Sequence, residues 1–191
     1  MSDSTGGAPS GGSARPVLAG PPSGMDAADQ ELLRIATDVL DRRYRTGVHE
    51  VAAALRLADG SVVTGLHVEA SAGRASVCAE SAALSAAVVA GSPVVSVVGV
   101  LRRPGGTMHL IEPCGVCAEL LGDHAPDARV WVAVGDGFGP VGIAELLPFR
   151  RRRSARAAAG AAATPFGSAT LSGSATPFGS ATPFGSATPE V

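Results

Sequence analysis

Cys78-Ala79-Glu80-Ser81-Ala82-Ala83-Leu84-Ser85-Ala86-Ala87-Val88-Val89-Ala90-Gly91, followed after two residues by Val94-Val95-Ser96-Val97-Val98-Gly99-Val100-Leu101, is the stretch from which the fold can be read. The first run is Ala-rich and unbroken, which predicts a helix over 78–90 ended by Gly91. The second is a continuous run rich in β-branched residues, the pattern of a strand buried on both faces. Such a strand needs helices on either side, so the flanks must supply more of the same layers. Upstream, residues 51–57 and 61–68 read as two strands joined by Asp59-Gly60, a strong hairpin signal. Before them Asp26 can cap a helix in which Leu32, Ile35, Ala36, Val39, Leu40 and Tyr44 recur at helical spacing, with Gly47 closing it. Downstream, a third helix is expected to start near Cys114 and run to Leu121. Residues 130–134 read as a strand with Trp131 and Val132 in the core, Gly135-Asp136-Gly137-Phe138-Gly139 as a turn, and 143–147 as a last short element. Two strands followed by alternating helix and strand imply an α/β fold with a mixed sheet covered by helices.

The ends have a different composition. Residues 1–25 are a Gly/Pro/Ser mixture with few large apolar side chains, which predicts a flexible extension. Residues 26–149 form the one expected domain. Residues 150–163 read as a basic, Ala-rich linker beginning with the Arg150–Arg153 run, and 164–191 as a low-complexity tail of Thr-Pro-Phe-Gly-Ser-Ala hexads carrying Phe166, Phe178 and Phe184. On this reading, deleting 1–24 and 164–191 leaves the domain unaffected. The chain of 191 residues has 17 acidic and 15 basic residues, a balance that gives no reason to expect nucleic acid or an anionic membrane as an obligatory partner. No apolar stretch approaches the roughly 20 residues of a membrane span. The N-terminus shows no secretory or transit signal, and three Cys, two of them spaced Cys-x-x-Cys, fit a reducing compartment. A soluble, cytoplasmic protein is expected.

Two short segments carry the chemistry: Val77-Cys78-Ala79-Glu80 and Pro113-Cys114-Gly115-Val116-Cys117. Each sets a Cys at a predicted helix start, where free N–H groups and the helix dipole favour a thiolate. Cys78, Cys114 and Cys117 are the expected ligands of one Zn²⁺, and three protein ligands leave the fourth tetrahedral position open, as in a catalytic site. Glu80, on the same helical turn as Cys78, is placed to move protons between a water and a substrate. His109 and His124 have no spacing that implies a second metal site.

Cys-Ala-Glu followed by Pro-Cys-Gly-x-Cys is the signature of zinc deaminases, and from about Tyr44 to Pro148 the chain resembles the small homotetrameric cytidine deaminase family, which includes blasticidin S deaminases. Val51-Ala52-Ala53-Ala54-Leu55 is similar to the family's Val-Gly-Ala-Ala-Leu strand, Val68-Glu69 to part of its Asn-Val-Glu segment, and Glu145-Leu146-Leu147-Pro148 to its Glu-Leu-Leu-Pro. The resemblance implies a three-layer fold with a five-stranded mixed sheet between helices, one zinc per subunit, and a homotetramer whose active sites are completed by neighbours. It implies a substrate-binding group of His49, His67, Glu69 and Ala79, with Glu69 on a sugar hydroxyl.

The departures from the family fall around the substrate. His49 stands where a Phe usually packs on the pyrimidine, and His67 where an Asn usually helps hold the ribose. Ser81 replaces the Arg that commonly follows Cys-Ala-Glu, and Ala118-Glu119 replaces Arg-Gln, so the charge that usually offsets three thiolates is missing unless helix dipoles or Arg74 supply it. Hydrolytic deamination of cytidine, deoxycytidine or a related cytosine nucleoside, within pyrimidine salvage, is the expected activity. Deamination of a nucleoside antibiotic such as blasticidin S, or of another heterocycle, is the alternative. An editing deaminase on single-stranded nucleic acid would need more aromatic residues near the site, and a non-catalytic zinc scaffold would be expected to have lost Glu80 or a ligand.

Overall fold

The computed structural model describes residues 15–150. The hexad tail, its Phe residues, and Arg151–Arg153 with Arg156 lie outside the described residues. The elements in chain order are α1 (Ala27–Arg43), β1 (Val51–Leu57), β2 (Val62–Leu66), a 3₁₀ turn (Gly73–Ala75), α2 (Ala79–Ala90), β3 (Val94–Arg102), β4 (Met108–Leu110), α3 (Gly115–His124), β5 (Arg129–Val134), β6 (Gly137–Gly142) and α4 (Ile143–Leu146). The strands form one sheet in the order β2-β1-β3-β5-β6, with β4 beside the end of β3. β3 and β5 run parallel, and every other pair is antiparallel.

Alternation along the central strands assigns each helix to a face. Ala52, Ala54, Val98, Val100 and Trp131 pack with Leu32, Leu33, Ala36 and Leu40 of α1. Their neighbours Ala53, Leu55, Val97, Val130 and Val132 point the other way and pack with Ala79, Ala83, Leu84 and Ala87 of α2, Leu121 of α3 and Ile143 of α4. The result is three layers, helix, sheet and helices. Small side chains on β1 and β2 let α2 come close: a Cβ on Gly65 would lie 2.1 Å from the Ala79 carbonyl oxygen and 2.6 Å from the Ala83 nitrogen. Glycine at 65 therefore fixes how near the first turn of α2 sits to the sheet. Asp26 caps α1 as expected, accepting a hydrogen bond from the Asp29 nitrogen.

The sheet has six strands where five were expected. β6 occupies part of the Gly135–Gly139 segment read as a turn, because β5 presents an unpaired edge and the main chain of 137–142 takes it in register from Arg129↔Gly142 to Val134↔Gly137. Pro140 is tolerated on such an outer strand. β4 is only three residues long and follows Pro104-Gly105-Gly106, too short for a period to show.

Residues 15–25, expected as part of a flexible extension, instead lie against the core. Leu18 donates its N–H to the Met108 oxygen at 2.7 Å, His109 donates through Nδ1 to the Pro16 oxygen at 2.9 Å, and Met25 is buried. Leu18 and Met25 are few but sufficient anchors, and Pro16, Pro21 and Pro22 reduce the entropy lost on ordering. Deleting 1–24 would remove the Leu18 and Pro16 contacts, so a loss of stability is expected from that end. Arg150 is likewise no solvated side chain: it donates to the Glu119 and Gly122 carbonyls at 2.9 and 3.1 Å and pairs with Asp123, capping the C-terminus of α3.

One buried polar cluster was not foreseen. The Asp29 carboxylate, 1% exposed, accepts hydrogen bonds from Ser96 Oγ (2.8 Å), Trp131 Nε1 (2.7 Å) and the Arg129 guanidinium (2.9 and 3.1 Å). Four donors satisfy a carboxylate that would otherwise be too costly to bury.

Candidate active site

Cys78 and Cys114 are the N-cap residues of α2 and α3, and Cys117 follows within the first turn of α3. Two helix starts thus aim at one point. Three sulfurs lie within 4.8 Å of one another, with Cys78 and Cys114 3.7 Å apart, and this is the group among the described residues that can hold a metal ion.

Glu80, 4% exposed, lies in the first turn of α2 with Oε2 3.6 Å from Cys117 Sγ. Its other side is β3: a Cβ on Gly99 would sit 3.3 Å from Glu80 Oε1 and 3.3 Å from Ile111 Cγ1. Gly99, which the sequence reading used only as part of a strand, makes room for the carboxylate. Desolvation pushes the Glu80 carboxyl above the ordinary carboxylate range, while its own backbone N–H, the Cys117 thiol and His67 pull the other way.

The thiols differ among themselves. Burial pushes Cys78 up, with the Cys114 thiol adding to it. Burial and then the Glu80 charge push Cys117 up further. Burial also acts on Cys114, but the backbone N–H groups of Cys117 and Val116 and the neighbouring thiols outweigh it and hold Cys114 below the usual thiol value. Three thiols and a carboxylate therefore crowd together without a compensating cation: among the described residues no Arg or Lys side chain hydrogen-bonds any of them. Arg74, one candidate for that role, lies on the 3₁₀ turn and bonds none of the sulfurs. A soft divalent cation fits this donor set in charge and in ligand type. Ser81 Oγ, 3.3 Å from Cys117 Sγ, adds an uncharged hydrogen bond to that sulfur.

The residues expected around a substrate gather at the ends of β1 and β2. His67 Nε2 donates to Glu69 Oε2 at 2.8 Å, and His49 Nδ1 donates to the His67 carbonyl at 2.7 Å. Ser76, which sequence reasoning missed, donates to Glu69 Oε1 at 3.0 Å and accepts from the Ala70 nitrogen at 3.0 Å. His67 first and Ser76 second hold the Glu69 carboxyl below its ordinary value. A bridge between Val68 and Val77, with two 3.0 Å hydrogen bonds, fastens this segment to the residue before Cys78. Ala79 is wholly buried and belongs to the core cluster, between the Cys78 cap and Glu80. His109 is occupied with Pro16 and Thr107 and stands apart from the sulfurs.

Residues 26–133 match the family described as the cytidine and deoxycytidylate deaminase zinc-binding region. The chain belongs to this family. It is a hydrolytic deaminase of the cytidine deaminase family, a hydrolase acting on C–N bonds, with a zinc-binding domain. It is 33% identical over 131 residues to blasticidin-S deaminase of Bacillus cereus, covering 66% of this chain and 94% of that protein. With a cytidine deaminase of Halalkalibacterium halodurans it shares 32% over 101 residues, 52% of this chain and 74% of the relative. The crystal structure of cytidine deaminase from Mycobacterium leprae superposes with a TM-score of 0.53 at 28% identity, over 64% of this deaminase and 99% of the other chain. No helix among the described residues of the deaminase is long and apolar enough to cross a membrane.

Proposed function

We propose that this deaminase acts on a cytosine nucleoside other than cytidine, with a nucleoside antibiotic of the blasticidin S kind as the best representative, and that Cys78, Cys114 and Cys117 hold its zinc. The observation that carries the substrate reading is the hydrogen-bonded set of His49, His67, Glu69 and Ser76. An imidazole at 67 gives the sugar side of the pocket a donor already engaged with Glu69. The carboxylate retains lone pairs for one further hydroxyl or amine. A site whose polar groups are matched to one ligand discriminates against another that leaves them unpaired, by up to about 10⁴–10⁵.

Cys78, Cys114 and Cys117 would hold the zinc ion, which would supply the Lewis acidity that brings proton loss from water into the neutral range. Glu80 takes that proton on a carboxylate oxygen and passes it to the ring nitrogen as the amidine carbon is attacked; it then takes the remaining proton of the added hydroxyl and gives it to the amino group, which leaves as ammonia as the carbonyl forms. Its buried position excludes bulk water from this transfer. Glu69 and His67 orient the sugar or its substituent, His49 packs beside the base, and the main chain of Ala79 offers a further contact.

The assembly proposed is a homotetramer in which neighbours complete the pocket. Val88, Val89 and Val116, exposed by 53%, 86% and 68% on α2 and α3, support it as apolar surface that association would cover. A monomer mass by light scattering at micromolar concentration would remove this part. Cytidine deamination in cytoplasmic pyrimidine salvage is the second reading, favoured by the presence of Glu69. Ammonia release with zinc-loaded enzyme separates the two: kcat/KM for blasticidin S is expected to exceed that for cytidine about tenfold or more, and cytidine winning with about 10⁴ M⁻¹s⁻¹ or higher would establish salvage instead.

A further inference from the structure

Three residues, Ile111, Glu112 and Pro113, connect β4 to Cys114, so the position of that sulfur depends on how this link is held. On one side Ile111 donates its N–H to the Gly99 carbonyl at 3.0 Å, and its side chain flanks the space over Gly99 that Glu80 also borders. On the other side the tether comes from the far end of the sequence. The Arg15 guanidinium forms a two-pronged pair with the Glu112 carboxylate, one prong at 2.7 Å, and reaches the Leu110 carbonyl at 3.4 Å. Arg15 is in turn fixed by its neighbours, through the Pro16 carbonyl to His109 and the Leu18 N–H to Met108.

We propose that residues 15–18 are a strap and that Arg15 is a positioning residue for Cys114, holding the link through Glu112 at the separation the metal group requires. The metal side of this rests on the reading of Cys114 as a zinc ligand. A lone surface ion pair contributes little to overall stability, and Arg15 and Glu112 are 33% and 51% exposed. The effect is therefore local: it narrows the positions open to a short link that otherwise keeps one main-chain hydrogen bond, and the sulfur two residues beyond Glu112 feels it. Two-pronged geometry matters here because it sets orientation as well as distance.

The test uses the full chain with Arg15→Ala, Glu112→Ala, the double variant and the charge-reversed pair Arg15→Glu/Glu112→Arg. Two readouts need no substrate: hydrogen exchange at the Ile111, Glu112 and Cys114 amides, and zinc release to a chelator together with the sulfur-to-cobalt absorption of the Co²⁺-substituted protein. Each single variant is expected to speed exchange and zinc release by about three- to tenfold and to shift the cobalt band. The double variant should be no worse than either single one, the mark of a shared interaction, and the reversed pair should recover most of the loss. Wild-type exchange and zinc release in Arg15→Ala, or effects that simply add, would overturn the strap. If the wild-type protein took up no metal, the ligand reading would fail, and the exchange measurement would still decide the strap.

Discussion

The sulfur corner and the hairpin corner of the active site are built by different means. Cys78, Glu80, Cys114 and Cys117 are placed by the starts of two helices, so their positions follow from main-chain geometry and from close approaches such as that of Gly65 to Ala79. His49, His67, Glu69 and Ser76 are placed by side-chain hydrogen bonds at strand ends, with the Glu69 side chain 45% exposed. The first arrangement cannot change without refolding the layer, whereas the second can be rewired residue by residue. On the proposed reading, catalytic chemistry and substrate choice are therefore separable in this fold.

The strongest way to break the comparison is at the sulfurs. Cys114→Ala is expected to abolish stoichiometric zinc and with it turnover while α3 remains helical; metal analysis and circular dichroism check both, and undiminished zinc would take Cys114 out of the ligand set. Glu80→Gln comes next: the isosteric amide keeps fold and metal but cannot accept a proton, so turnover should fall by about 10²–10⁴. Wild-type turnover on a confirmed substrate would end the assignment of Glu80 as proton carrier.

At the hairpin corner the smallest effect is a pH-dependent one. The Glu69 carboxyl lies below its usual 4.5 in the folded protein because of His67 and Ser76. A depressed carboxylate stabilises the fold above its unfolded value, and that contribution disappears as pH falls through the lower folded value. The stability difference between the wild type and Glu69→Gln should accordingly be constant above pH 4.5 and shrink towards zero below it. Denaturation midpoints between pH 6 and 3 give the measurement, and a difference that grows on acidification would reverse the sign.

Much of this was legible in the sequence because it rests on local rules. Asp26 as a cap, the helix starts at Cys78 and Cys114, and the strand over 94–101 each follow from side-chain type and spacing. What was missed rests on partners distant in sequence. β6 is two-thirds Gly and Pro and becomes a strand only because the edge of β5 accepts it. Ser76 looks like any loop serine until Glu69 is beside it. Arg15 sits in a segment whose composition reads as a tail, yet its partner is Glu112, 97 residues on. Asp29 reads as an ordinary acidic residue near a helix start, and nothing nearby announces its burial.

That buried carboxylate also orders events in time. Asp29 finds Ser96, Arg129 and Trp131 at sequence separations of 67, 100 and 102 residues. While the chain emerges from the ribosome, the first helix can coil early, but its docked place contains a carboxylate that lacks three of its four donors until β5 has been made. Contacts this far apart cost chain entropy before they are rewarded, which slows folding. The segments carrying all three cysteines are complete before Trp131 appears, so the metal-binding half of the sequence is synthesised ahead of the residue that lets the opposite layer close.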